Sequence, residues 1–240
     1  MKILIVNDDG IDAEGIKHLV EFAKTKGEVC VFAPKVQQSG KSHSIEIHNA
    51  YEVKKVDIFG KDVEAYSVDS TPADCVRIAV LGLKKQFDLV ISGINCGHNL
   101  GGDIHYSGTV GACLEAAKCG IKAMAVSACF RSFDNAVKNL DRVFELIQKQ
   151  NMFAHAEILN VNFPEKGDKI LITRMGPAIY TDDFEFLPDN MVAPKLVCLY
   201  DGTKDLTLDT DATMTGHITI TPLCSDLTSS SYELLTKKVG

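Results

Sequence analysis

Through residues 1–150, short apolar runs rich in β-branched residues alternate with stretches of helical period, and this alternation constrains the fold more than any other feature. Lys2 to Val6 reads as a buried strand. Ile16, Leu19, Val20 and Ala23 then recur at i, i+3, i+4 and i+7, the apolar stripe of an amphipathic helix that Gly27 closes. Glu28 to Phe32 is the next strand, and Pro34 to Ser42 is a polar loop. Residues 43–69 are ambiguous and read as short strands around a Gly60-Lys61 turn. Thr71-Pro72-Ala73-Asp74 opens a helix: threonine caps it, proline takes the first helical position, and aspartate faces the exposed amides. Val76, Val80 and Leu83 continue that helix on one side. Phe87 to Ile91 is a strand, Val110, Cys113, Leu114 and Ala117 mark a helix, and Lys122 to Cys129 is a further strand. Ala136, Leu140, Val143, Phe144 and Ile147 form the last helical stripe.

Alternation of this kind predicts an α/β fold, a mostly parallel sheet with helices on both faces. After Asn151 the pattern changes. Ile158 to Phe163, Lys169 to Arg174, Leu196 to Leu199 and Ile218 to Pro222 read as strands with no long helix between them. We therefore expect residues 1–150 to form an α/β catalytic core. Residues 151–240 should complete it and add a β-rich C-terminal extension for subunit contact, in a single domain overall.

Charge and cysteine usage narrow the partners. The formal net charge is −7, without the basic footprint that a nucleic-acid polymer demands. A small anionic substrate stays compatible, because a metal ion or a helix N-terminus reverses the field locally. The eight cysteines contain no Cys-x-x-Cys pair and read as reduced, buried, small apolar residues. The apolar run at the N-terminus is too short for a signal-peptide core, and no stretch reaches the ~20 apolar residues of a membrane span. A cytoplasmic protein without membrane contact is the expectation.

Polar residues gather where an open parallel sheet binds ligands, beyond the carboxyl ends of its strands. Asn7-Asp8-Asp9-Gly10 follows the first strand, Gln37-Gln38-Ser39-Gly40-Lys41-Ser42 the second, and Ser92-Gly93-Ile94-Asn95 the strand ending near Ile91. Adjacent Asp8 and Asp9 suit a hard divalent cation, which offsets their mutual repulsion, although Asp-Asp-Gly is equally the sequence of a capped turn. Ser39 and Asn95 could add neutral oxygens to the same ion. The loop from Gly93 to Asp103 is glycine-rich, and Ser107-Gly108-Thr109 then opens a helix whose free amides and dipole favour a phosphate. His43, His98 and His105 lie in or near these loops and could donate a proton. His18 and His155 read as surface or structural positions, and His48 and His217 lie near strands.

With those residues in hand, the chain resembles the SurE family of acid-phosphatase-like nucleotidases. The likeness rests on Ile3-Leu4-Ile5-Val6-Asn7-Asp8-Asp9-Gly10, Gln38-Ser39-Gly40, Ser70-Thr71-Pro72-Ala73-Asp74-Cys75, Ser92-Gly93-Ile94-Asn95-x-Gly97-x-Asn99-Leu100-Gly101 and Tyr106-Ser107-Gly108-Thr109-Val110. Leu159-Asn160-Val161-Asn162-Phe163-Pro164 and Thr219-Ile220-Thr221-Pro222-Leu223 extend it, in order, across nearly the whole chain. The resemblance implies a Rossmann-like domain and one divalent cation, magnesium or manganese, held by Asp8, Asp9, Ser39 and Asn95. Phosphate would lie on Asn99, Ser107, Gly108 and Thr109, with Asp8, Asp9, Asn99 and Ser107 as the catalytic set. It implies hydrolysis of nucleoside 5′- and 3′-monophosphates and short polyphosphate by a homodimer or homotetramer. Two rival readings are an aspartyl-phosphate enzyme with Asp8 as nucleophile and a nucleotide-binding module without turnover. The first prefers carboxylates two residues apart, and the second leaves the Asp8-Asp9 pair without a role.

Overall fold

Successive side chains of a strand point to opposite faces, and in Lys2–Val6 (β1) both faces are buried: Ile3 and Ile5 join one apolar cluster, Leu4 and Val6 another. The computed structural model of the chain describes residues 1–202, 204–229, 231, 232 and 236; residues 203, 230, 233–235 and 237–240, including the end of the expected β-rich extension, lie outside that description. The first cluster is closed by helices Glu14–Lys24 (α1) and Asp134–Lys149 (α4), through the same Ile16, Leu19, Val20 and Ala136, Leu140, Val143 stripes that their sequences display. The second is closed by Pro72–Arg77 (α2) and Gly108–Lys118 (α3).

Between these layers lie strands Glu28–Pro34 (β2), Val53–Val56 (β3), Glu64–Val68 (β4), Leu89–Cys96 (β5), Lys122–Ala128 (β6), Ile158–Phe163 (β7), Ile170–Ile172 (β8) and Ile218–Leu223 (β11). With β1 they form a nine-stranded sheet of order β3-β4-β2-β1-β5-β6-β7-β11-β8. From β4 through β7 every neighbouring pair is parallel; β3 on β4 and β11 on β7 are antiparallel. This is the mostly parallel α/β sheet expected, covered on both faces. The chain leaves β1 for β2 on one side and returns to β5 on the other, so the strand order reverses at β1. A crevice opens at such a switch point.

Three elements differ from expectation. The α2 helix ends at Arg77 and a π-turn, Ile78–Gly82, carries the chain on, leaving Leu83 exposed instead of continuing a buried stripe. Strand β5 begins at Leu89, two residues later than read, and runs through Ser92-Gly93-Ile94-Asn95 to Cys96, with a register shift against β6. Glycine permits this: a Cβ on Gly93, at φ +138°, would overlap the Val126 carbonyl of β6. Third, Tyr180–Leu187 (β9) pairs with Met191–Cys198 (β10) in a separate hairpin, of which the sequence showed only Leu196 to Leu199. The short helix Asp209–Met214 (α5) precedes β11. The cysteines are free thiols, but Cys96, Cys198 and Cys224 are exposed, not buried as expected. Among the described residues no helix is long and apolar enough to cross a membrane.

Candidate active site

The turn after β1 is fixed by its own asparagine: Asn7 Nδ2 donates to the Gly10 carbonyl at 2.8 Å. The Asp8 carbonyl accepts from the Gln38 amide at 2.7 Å, which draws the loop carrying Ser39 up to the aspartate pair. From the other side of the switch point, the Cys96 amide at the end of β5 donates to Asp9 Oδ2 at 3.0 Å. These loops and the start of α3 enclose a cavity of about 210 Å³. Asp8, Asp9, Ser39, Asn95, Asn99 and Ser107 all line it, so residues spread over a hundred positions meet in one place. Larger cavities at the amino ends of β1 and β2, beside Lys2, Glu28 and Lys85, contain none of the expected site residues.

Asp8 is 5% exposed. Burial pushes its carboxyl up to about 6, opposed by the Thr109 hydroxyl and reinforced by the charge of Asp9. Burial also raises Asp9, against the Cys96 amide. Among the described residues no lysine or arginine lines the cavity beside the pair of carboxylates. The donor chemistry fits a hard divalent cation: two carboxylates, the Ser39 hydroxyl and the Asn95 amide oxygen. Asn95 Nδ2 is committed to the Gly97 carbonyl at 2.8 Å, which leaves its oxygen as the acceptor for a ligand. Gln37 Nε2 stands between Ser39 Oγ (2.9 Å) and Asp9 Oδ1 (3.4 Å), a polar hydrogen shared by two of these oxygens. Among the described residues no three His, Cys, Asp or Glu side chains cluster as a metal site, so the aspartates would depend on the neutral oxygens.

Ser107 caps α3, its Oγ accepting from the Val110 amide at 3.1 Å, and its hydroxyl hydrogen remains available to the cavity. Gly108 lies hard against Asp8: a Cβ there would sit 2.9 Å from the Asp8 Cβ. Thr109 does not line the cavity. It is fully buried behind Asp8 and its hydroxyl donates to Asp8 Oδ1 at 2.5 Å. Asn99 is held from β7, where the alternation Asn160-Val161-Asn162 puts both amides on one face. Both Nδ2 atoms donate to the Asn99 carbonyl at 2.9 Å, and Asn162 Oδ1 accepts from its amide. Asn99 Nδ2 in turn gives one hydrogen to Ser127 Oγ at 2.8 Å and, among the described residues, keeps the other free.

None of the three loop histidines lines the cavity. His98 bonds the Phe163 carbonyl at 2.9 Å, with its proton affinity lowered by burial, and His43 pairs with the buried Glu115 at 2.8 Å. Four further lining residues, Gly40, Cys96, Asp103 and Tyr106, stand in the segments the sequence singled out but were assigned no role there. Asp103 and Tyr106 stand in the polar loop already singled out, and nothing in their types separates them from a solvated loop.

A family model described as "Survival protein SurE" matches residues 3–182. The chain is 37% identical over 242 residues to a protein of Clostridium beijerinckii named 5′-nucleotidase SurE, covering 95% of this chain and 94% of that one. It is 39% identical over 241 residues to a protein of the same name from Clostridium botulinum, with 95% of each covered. The crystal structure of the SurE protein from Aquifex aeolicus superposes with a TM-score of 0.83 at 31% identity, over 100% of both chains.

Proposed function

The chain belongs to the SurE family, and from that premise we propose that it hydrolyses nucleoside 5′-monophosphates to nucleoside and phosphate with one magnesium or manganese ion. Nucleoside 3′-monophosphates and short polyphosphate are proposed as further substrates. One observation carries the reading. The Asp8 carboxylate packs against the first turn of α3, so a cation seat and an anion seat share a wall. Without a cation, two carboxylates would repel a phosphate from the same amides that attract it.

The ion, held by Asp8, Asp9, Ser39 and Asn95, would supply charge neutralisation and a water of lowered pKa. The chain's own groups do the rest. The Ser107 hydroxyl, the free hydrogen of Asn99 Nδ2 and the Gly108 amide bind and orient the phosphoryl oxygens. Asp8 or Asp9 orients the attacking water. Thr109, buried behind Asp8, keeps that carboxylate in place through its hydroxyl and its amide.

The test is phosphate release from nucleoside monophosphates and short polyphosphates, after chelation and after readdition of magnesium or manganese. Chelation should abolish turnover and either ion restore it. Asp9→Asn should lose metal affinity and turnover together, whereas Asp183→Asn on the exposed β9 strand should not. Full activity after exhaustive chelation would remove the cation from the reading. The enzyme is further proposed to work in the cytoplasm as a homodimer or homotetramer joined through its β-rich extension.

A further inference from the structure

We propose that Tyr106 is the nucleobase-binding residue of this site, its ring stacking on the base at the rim of the cavity; the inference rests on the nucleotidase reading above. The cavity, at about 210 Å³, is smaller than the roughly 300–1,000 Å³ of clefts that enclose a whole drug-sized ligand. Its walls are carboxylates, amides, hydroxyls, a thiol and a glycine, apart from one aromatic ring. Such a cavity seats a phosphoryl group and the adjoining part of a sugar, and leaves an aromatic base outside.

Tyr106 is that one aromatic lining residue, and it is 70% exposed. Exposure alone carries little weight, since single apolar side chains are common on surfaces. What sets Tyr106 apart is where its backbone is held. Its carbonyl accepts from the Ser42 amide at 3.0 Å, and the next amide, that of Ser107, donates to the Ile104 carbonyl at 3.1 Å. The residue therefore stands at a fixed place beside the cap of α3, one position from the hydroxyl that meets the phosphate. None of the other exposed rings among the described residues lines the cavity: Phe130 has the Arg131 guanidinium 5.3 Å from its centre, Phe184 and Phe186 are on the β9–β10 hairpin, Tyr180 approaches only through its amide on Asp103, and Tyr232 is near the C-terminus.

Stacking on an aromatic ring reads the face of a base and not its edge, so it tolerates every base. The site should therefore accept all four common nucleoside monophosphates, with purines favoured over pyrimidines by their larger faces.

The experiment compares AMP with ribose 5-phosphate, which offers the same phosphate and sugar without a base, in the magnesium- or manganese-loaded enzyme. For Tyr106→Ala the ratio of kcat/KM for AMP to that for ribose 5-phosphate should fall about five- to fiftyfold, mainly through KM for AMP. Tyr106→Phe should keep the ratio, and Tyr106→Leu, which preserves bulk, should lose it. An unchanged ratio in the alanine and leucine variants, or an equal fall in the phenylalanine variant, overturns the proposal. The chain has no tryptophan and six tyrosines, so AMP binding is also readable as quenching of tyrosine emission, corrected for AMP absorbance. Wild-type emission should be quenched and Tyr106→Phe much less so; equal quenching overturns the proposal. Should the wild type cleave neither substrate with either metal, the nucleotidase reading fails by itself, and the quenching comparison still decides whether Tyr106 stacks.

Discussion

Asp8 is pulled in two directions. Burial favours its neutral form, while the Thr109 hydroxyl favours its charge, and burial wins: the carboxyl is pushed up to about 6 from an ordinary 3.8. An acid whose folded pKa exceeds its unfolded one contributes stability fully below the unfolded value, here near 3.8, and loses it as pH rises through about 6. The full swing is at most about 3 kcal/mol. In chelator, melting of the wild type should therefore fall relative to Asp8→Asn between pH 5 and pH 7.5, a window holding about half of that swing, by up to about 3–6 °C. Added manganese should raise the wild-type melting temperature more at pH 7.5 than at pH 5, because the cation binds the charged form. A wild-type minus Asp8→Asn difference that is flat with pH would show that the carboxyl titrates normally. The Asp8-Asp9 pair was legible in the sequence by its place directly after the first strand, level with the other polar clusters, and not by residue type, since Asp182-Asp183 is an equally adjacent pair. The Thr109–Asp8 bond was not: its partners are 101 residues apart, and a threonine after Ser-Gly at a helix start looks like one more phosphate ligand.

Elements became legible in the sequence in proportion to how one-sided their burial is. Helices α1 and α4 announced themselves through stripes, and β1 and β2 through unbroken apolar runs. Strand β9 gave no signal because all eight of its residues are exposed, so no buried face imposes an alternation that could be read. Likewise α5 is only six residues long, yet it holds the site loop. Asp209 in its first turn is fully buried and accepts from the amides of Gly101 (3.0 Å), Gly176 (2.7 Å) and Thr210 (2.8 Å). It thereby ties the loop bearing Asn99 and Asp103 to the segment leading into β9. Asp209→Asn replaces one accepting oxygen by an NH₂ that faces a donor, at a cost of about 1–3 kcal/mol. Urea unfolding should shift by that amount, and kcat/KM should fall as the Asn99 loop loosens. A variant as stable and as active as the parent would mean that the three amides find water instead.

At the scale of the whole molecule, the hairpin is a ribbon whose strands are largely exposed among the described residues. The register sets Phe186 opposite Val192, Phe184 opposite Pro194 and Asp182 opposite Leu196. Opposed residues share a face, so Phe184, Phe186, Val192, Pro194 and Leu196 lie together on one side. The other side carries Asp183, Glu185 and Lys195 beside Leu187, Met191 and Val197, so the charge concentrates there while Asp182 alone interrupts the first side. Phe186 is 82% exposed and Leu196 67%, and a two-stranded ribbon is marginal in water without a surface to pack on. In the proposed homodimer or homotetramer a second copy of the chain would supply that surface in closed symmetry. Assembly would also reach the site, because Asp103, which lines the cavity, accepts from the amides of Ile179 and Tyr180 at the root of the ribbon at 3.0 and 3.2 Å. Light scattering at micromolar concentration should return a multiple of 26.1 kDa. Phe186→Glu combined with Leu196→Lys should lower the mass toward one chain, and the separated chains should show a reduced kcat/KM. A wild-type mass of one chain would sink the assembly. A multimer that both substitutions leave intact would place the contact elsewhere on the molecule and free the ribbon face for another role.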